Sequence, residues 1–206
     1  MPKEQWRESL RPRIEAARSK LVGSNAADLV QRGGLREANG DLELTLLGRT
    51  YTIGWPELSI AFPDGSRCPE ELAILILDYV IRADGSAPTG EWIGFQELPD
   101  GLFYRQAFQG YSGDQLVKDL GADGERFRRA AGTLSEEPLS LGDAGYAFRV
   151  LPQVPLAVVW WDGDDEFPAN ATVLFDRIAG TYLPTDGLAI LGRMLCRALG
   201  KAGGPE

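Results

Sequence analysis

The order of secondary-structure patterns along this sequence predicts an α+β fold. Groups of strand-like segments are separated by groups of helical segments, and the two do not alternate as in βαβ units. We therefore expect a mixed or antiparallel sheet packed with several helices in a single compact domain. This domain would span residues 37–200, preceded by a helical N-terminal extension (1–36) and followed by a flexible tail (201–206).

The first part of the chain predicts helices, then strands, then a further helix. The expected helices cover residues 4–21, 26–31 and 69–81, and the expected strands cover residues 42–46, 50–53 and 58–62. Leu42, Leu44 and Leu46 alternate with polar residues, as one face of a half-buried strand does. Between Leu72 and Ile81 the last helix is apolar on almost every side, which is typical of a helix at the centre of a fold.

Residues 83–111 predict a long loop that is rich in aromatic side chains. Glycines and prolines interrupt the segment repeatedly, and its aromatic residues are Trp92, Phe95, Phe103, Tyr104, Phe108 and Tyr111. Such a loop is uncommon in a compact domain unless it covers the core or lines a site. Two interpretations stay open: a binding wall for a flat ligand, or a loop that buries its own aromatic residues.

The second half of the chain predicts a mixture of helices and strands. Helices are expected at residues 113–120, 124–132, 171–178 and 185–199, and strands at residues 146–151 and 156–161. Val154–Trp161 should be an interior strand, because valine, leucine and tryptophan fill both of its faces. Thr185 should cap the terminal helix and Gly200 should end it.

The composition argues against several kinds of function. The chain has no histidine, which removes Ser-His-Asp and Cys-His catalysis and histidine-bound metals. Cys68 and Cys196 are too far apart for a C-x-x-C motif. The formal net charge is −9, so we expect no nucleic-acid partner. No secretion signal or apolar span is visible, so we expect a cytoplasmic protein without a membrane partner.

An acidic cluster follows the predicted interior strand, with Asp162, Asp164, Asp165 and Glu166 inside five residues. A divalent cation, Mg²⁺ or Ca²⁺, held by the three aspartates would offset their mutual repulsion. The calcium-loop pattern fails, however, because Phe167 stands where that loop needs glycine. We therefore prefer a solvated loop, or one whose acids cap the next helix and pair with arginines.

Glu166 and Asp176 are each adjacent to a phenylalanine, which predicts partly buried and paired carboxylates. Arg105, Arg149 and Arg177 are the candidate partners. A structural ion pair and a catalytic acid both fit this pattern, and we prefer the ion pair. The candidate ligand-binding residues of the sequence are Trp92, Phe103, Tyr104, Arg105, Trp161, Glu166 and Asp176.

Three segments of the chain resemble a known family. They are GEWIGFQELPDGLFYRQAF (Gly90–Phe108), VPLAVVWWDGDDEFPANATVLFD (Val154–Asp176) and TYLPTDGLAILG (Thr181–Gly192). They resemble a family labelled as a domain of unknown function, found mainly in anaerobic bacteria and archaea. The resemblance implies a shared fold and a shared site, but no reaction. Some relatives carry a cysteine-rich iron–sulfur module, for which this chain lacks the cysteines.

Three functions follow from these observations as hypotheses. We favour a binding or accessory protein that holds a small molecule or cofactor between the aromatic segment (90–111) and the acidic strand end (160–176). The second hypothesis is an enzyme that uses carboxylates, with or without Mg²⁺, for hydrolysis or proton transfer. The third is a protein-interaction module. The sequence names no cofactor and no protein partner.

Overall fold

The computed structural model describes residues 3–134 and 136–204, with side chains from residue 12 onward except those of residues 135 and 136. Its helices are α1 (Lys3–Leu21), α2 (Ala26–Gly33), α3 (Glu70–Arg82), α4 (Gly101–Tyr111), α5 (Gly113–Leu120), α6 (Gly124–Gly132), α7 (Ala179–Tyr182) and α8 (Thr185–Gly203). Its strands are β1 (Arg36–Ala38), β2 (Asp41–Leu46), β3 (Arg49–Gly54), β4 (Ser59–Ala61), β5 (Trp92–Gly94), β6 (Glu136–Leu139), β7 (Ala144–Leu151), β8 (Val154–Trp161) and β9 (Asn170–Asp176).

These strands form two antiparallel sheets, which confirms the α+β class and the antiparallel alternative. The residues group into two compact units. The first unit contains the chain up to Ala87 with Leu151–Gln153 and Thr181–Leu183, and the second contains the rest. The predicted domain limits at residues 36 and 200 stay predictions.

The first unit contains the four-stranded sheet β1-β2-β3-β4 and the central helix α3. Leu42, Leu44 and Leu46 are buried, as their alternation predicts. The Tyr79 hydroxyl of α3 donates to the carbonyl of Gly33 at 2.7 Å and accepts from the backbone N–H of Gln153 at 3.2 Å. Burial raises the pKa of Tyr79, so its hydroxyl remains protonated and keeps donating.

The second unit contains the five-stranded sheet β5-β9-β8-β7-β6, in which β8 is the central strand. Every residue of β8 before Trp161 is buried or partly buried, so the prediction of an interior strand is confirmed. Helices α5 and α6 both pack against α8, and α5 also contacts β9. The described residues include no helix with the length and apolar character needed to cross a membrane.

Four of the predicted local features are wrong. Residues 171–178 contain most of β9 instead of a helix, because hydrogen bonding to β8 and β5 decides the conformation of this short apolar segment. Residues 83–111 contain β5, a 3₁₀ turn (Phe95–Glu97) and α4 instead of one long loop. Thr185 lies inside α8, and its hydroxyl donates to the carbonyl of Pro99 at 2.6 Å. Helix α8 also continues past the predicted stop at Gly200.

We expect Leu75→Ala to lower the free energy of unfolding by about 2–5 kcal/mol, the usual cost of truncating a buried leucine. Leu75 faces the interior from α3 and is only 2% exposed. Leu72→Ala, at a partly exposed position of the same helix, is the matched control and should cost less. Urea unfolding followed by circular dichroism measures both. A loss below about 0.5 kcal/mol for Leu75→Ala would show that α3 is not central.

Candidate functional site

A groove of about 550 Å³ opens on the second unit between α4, the start of α5 and β9. Its lining residues are Phe95, Gln96, Arg105, Gln106, Phe108, Gln109, Asp114, Thr172 and Val173. Except for Asp114, they come from the two segments between which the sequence predicts a site, 90–111 and 160–176. Of the seven candidate ligand-binding residues, however, Arg105 is the one that lines the groove.

Aromatic rings form the floor of the groove. The rings of Phe95 and Phe108 stack with centroids 4.1 Å apart and an interplanar angle of 12°. Both rings also contact Phe175, at 6.0 and 5.8 Å between centroids. A Cβ on Gly192 of α8 would come within 2.7 Å of the Phe108 ring, so glycine allows the close approach of this helix. The floor is therefore held from several sides.

Gln109 joins the three elements at one end of the groove. Its Nε2 donates to Asp114 Oδ1 at 2.7 Å and to the carbonyl of Ala171 at 2.9 Å. A Cβ on Gly113 would lie 1.9 Å from the same carbonyl oxygen, so only glycine lets α5 begin this close to β9. These contacts fix the position of α4 relative to the sheet.

The rim of the groove carries polar side chains, among them Gln96 and Arg105. The Gln96 amide lies over Gly94, where a Cβ would meet Nε2 at 2.4 Å. The backbone N–H of Gly94 donates to Glu97 Oε2 at 2.7 Å, which holds the 3₁₀ turn against the end of β5. Arg105 is exposed and has no ion-pair or hydrogen-bond partner among the residues that the structure describes.

Asp176 is fully buried, and its partners differ from those predicted. Its Oδ1 accepts from the backbone N–H and the hydroxyl of Thr89, at 3.1 and 2.8 Å, and from the N–H of Ile178 at 3.0 Å. Its Oδ2 accepts from the N–H of Gly90 at 2.7 Å. The predicted arginine partner is wrong: Arg177 pairs instead with Glu91, at 2.7 Å. Backbone and hydroxyl donors satisfy this carboxylate.

The acidic cluster after β8 is engaged in local contacts. Asp162 Oδ1 accepts from the indole N–H of Trp160 at 2.8 Å, and Asp162 Oδ2 lies 3.6 Å from Arg128 Nη2. Asp164 Oδ1 accepts from the N–H groups of Glu166 and Phe167, at 2.8 and 2.7 Å. These two bonds favour the carboxylate and lower the pKa of Asp164.

Two expectations for this cluster are corrected: the burial of Glu166 and the capping of a following helix. Glu166 is exposed instead of partly buried, because the turn at Asp164 directs the neighbouring Phe167 into solvent with 67% of its surface exposed. Asp162, Asp164 and Asp165 do not converge: no three acidic or cysteine side chains in the described part of the chain are arranged to hold a metal ion. The acids also cap no following helix, because the next element is β9.

Four aromatic candidates, Trp92, Phe103, Tyr104 and Trp161, lie outside the groove lining, whereas Phe95 and Phe108 of the predicted aromatic segment belong to it. Trp92 is partly buried in β5, and Trp161 is half-exposed at the end of β8. Phe103 and Tyr104 are exposed on the first turn of α4, Phe103 at 89%. Because residues 103 and 108 are five positions apart on a helix, they face different sides, and Phe108 is the one that reaches the floor.

Comparison with known families shows to which family the chain belongs. Residues 25–198 match the family described as a domain of unknown function, DUF3786. The chain belongs to this family, and the resemblance carried by its three segments is confirmed. No curated protein and no solved structure matches the chain. Every residue that lines the groove lies within the matched range.

We expect Asp176→Asn to lower the free energy of unfolding by about 2–3 kcal/mol. The asparagine NH₂ group would face backbone N–H donors that the carboxylate now satisfies, and these buried donors would lose their acceptor. Asp165→Asn, at an exposed position, is the matched control and should stay within about 0.5 kcal/mol of wild type. Equal stability of the two variants in chemical unfolding would contradict this assignment.

Proposed function

We propose that this protein is a small-molecule-binding or accessory protein whose ligand lies in the groove between α4 and β9. The observation that supports the proposal is the groove itself, with aromatic rings in its floor and amide, hydroxyl and guanidinium groups around them. Small-molecule sites commonly combine an apolar surface with a few polar groups that orient the ligand, in volumes of roughly 300–1,000 Å³. At about 550 Å³ this groove lies within that range.

The rigidity of the groove also supports binding. The stacked pair Phe95–Phe108 is fixed by Phe175 below it, and the Gln109 amide ties α4 to both α5 and β9. A site that is already formed loses little conformational entropy when it takes up a ligand. The groove can therefore bind a ligand without rearranging its floor.

The carboxylate-enzyme hypothesis receives less support than binding. A catalytic acid has to reach its substrate, but Asp176 is fully buried and already accepts four hydrogen bonds. The acid that lines the groove, Asp114, accepts a hydrogen bond from Gln109. We therefore place catalysis second to binding.

One observation favours the protein-interaction hypothesis. The first turn of α4 exposes three large apolar or aromatic side chains, Leu102, Phe103 and Tyr104. Exposed apolar residues in a group are typical of interaction surfaces. Because nothing among the contacts of these residues indicates a partner's chemistry, this function ranks below ligand binding.

A groove-filling variant tests the proposal. We expect Thr172→Trp to abolish binding of small aromatic fragments, because the indole would occupy the space above the Phe95–Phe108 floor. Binding is measured with a set of neutral, anionic and cationic fragments through the backbone amide signals of Gln106 and Gln109 in ¹H–¹⁵N spectra. Wild type should show saturable shifts with at least one of the three classes.

Thr45→Trp is the matched control, since it makes the same change at an exposed position of β2 in the first unit. It should bind fragments as wild type does. The proposal fails if no fragment class shifts the groove signals of wild type, or if Thr172→Trp retains wild-type binding.

A further inference from the structure

We infer that the ligand of this groove carries an anionic group, a carboxylate or a phosphate, which binds the guanidinium of Arg105. The inference rests on the proposed binding function and adds the charge of the ligand and the residue that anchors it. It follows from a difference in hydrogen bonding between the two charged residues that line the groove.

The charged side chains that line the groove are Arg105 and Asp114. One oxygen of Asp114 already accepts a 2.7 Å hydrogen bond from Gln109, which holds this carboxylate at the junction of the three elements. Arg105 lines the same groove and has no such partner among the described residues. Arg105 is therefore the charged lining residue whose hydrogen-bonding groups are unused within the described part of the chain.

The chemistry of arginine selects the class of anion. A guanidinium presents parallel N–H donors whose spacing matches two oxygens of one carboxylate or phosphate group. Other lining groups add neutral donors: the amides of Gln96 and Gln106 and the hydroxyl of Thr172. These can satisfy the remaining oxygens of a bound anion.

The rest of the ligand is apolar and flat. Beside the polar rim, the groove offers the rings of Phe95 and Phe108 and the side chain of Val173. An aromatic or planar body would cover these groups while its anionic end meets Arg105. Since the whole chain carries a formal charge of −9, attraction of the anion depends on this local contact and not on the overall field.

Three probes with one ring test the inference: benzoate, phenyl phosphate and benzamide. They share the phenyl group and differ in the charge and shape of the polar end. We expect benzoate or phenyl phosphate to shift the Gln106 and Gln109 amide signals with saturation, and benzamide to bind more weakly. The tighter of the two anions identifies whether the natural group is a carboxylate or a phosphate. Added salt should weaken the binding of the two anions but not the binding of benzamide.

Variants assign the effect to Arg105. Arg105→Gln should lower the affinity for the anionic probe about tenfold or more, because a charge-assisted hydrogen bond is lost. Arg105→Lys should retain part of the affinity. Arg129→Gln is the matched control, since Arg129 is an exposed arginine of α6 that does not line the groove, and it should bind as wild type. Unchanged dispersion of the amide spectra shows that each variant is folded.

Two results would overturn the inference. If benzamide binds the groove as tightly as benzoate and Arg105→Gln changes nothing, the groove binds ligands but needs no anion. If neither anion shifts the groove signals at concentrations up to about 10 mM, Arg105 is not an anion anchor. The wider fragment set and Thr172→Trp then show separately whether the groove binds any small molecule.

Discussion

The buried carboxylate of Asp176 is the contact on which the arrangement of the groove depends. A carboxylate out of contact with water is costly unless donors replace its lost hydration. Four donors from Thr89, Gly90 and Ile178 do so, and two of these residues lie just before β5. The carboxylate therefore fastens the chain that enters β5 to the end of β9.

The position of the groove follows from this contact, as the course of the chain from β5 to α4 shows. Strand β5 pairs with β9 from Trp92 to Gly94, and the next residue, Phe95, starts the aromatic floor. The 3₁₀ turn then leads into α4, where Phe108 stacks on Phe95 and Gln109 returns to β9 at Ala171. The segment from β5 to Gln109 is thus held against β9 at both of its ends, and the groove lies between these two contacts.

Continuous apolar patterns predict β8 and α3 correctly. Segments that are short, or that glycine and proline interrupt, give wrong predictions of secondary structure. Glycines and Pro99 made α4 resemble a loop, although packing of Phe108 stabilises the helix. Phe175 correctly indicates the burial of Asp176, but backbone donors leave no signal in the sequence, so the sequence favours an arginine partner. The sequence indicates Arg105 as a partner for a buried carboxylate, but the structure places it in the groove lining, and Asp176 has other partners. Gln109 was missed, because only the fold brings its amide to Ala171.

Hydrogen–deuterium exchange of wild type and Asp176→Asn tests most directly whether this carboxylate positions the groove. The account predicts faster exchange at Thr89 and Gly90 and onward through β5 and the 3₁₀ turn, with the central strand β8 still protected. Unchanged exchange over residues 89–97 would contradict the account. An increase as large in β8 as in β5 would also contradict it, because the carboxylate would then support the whole unit and not the groove in particular.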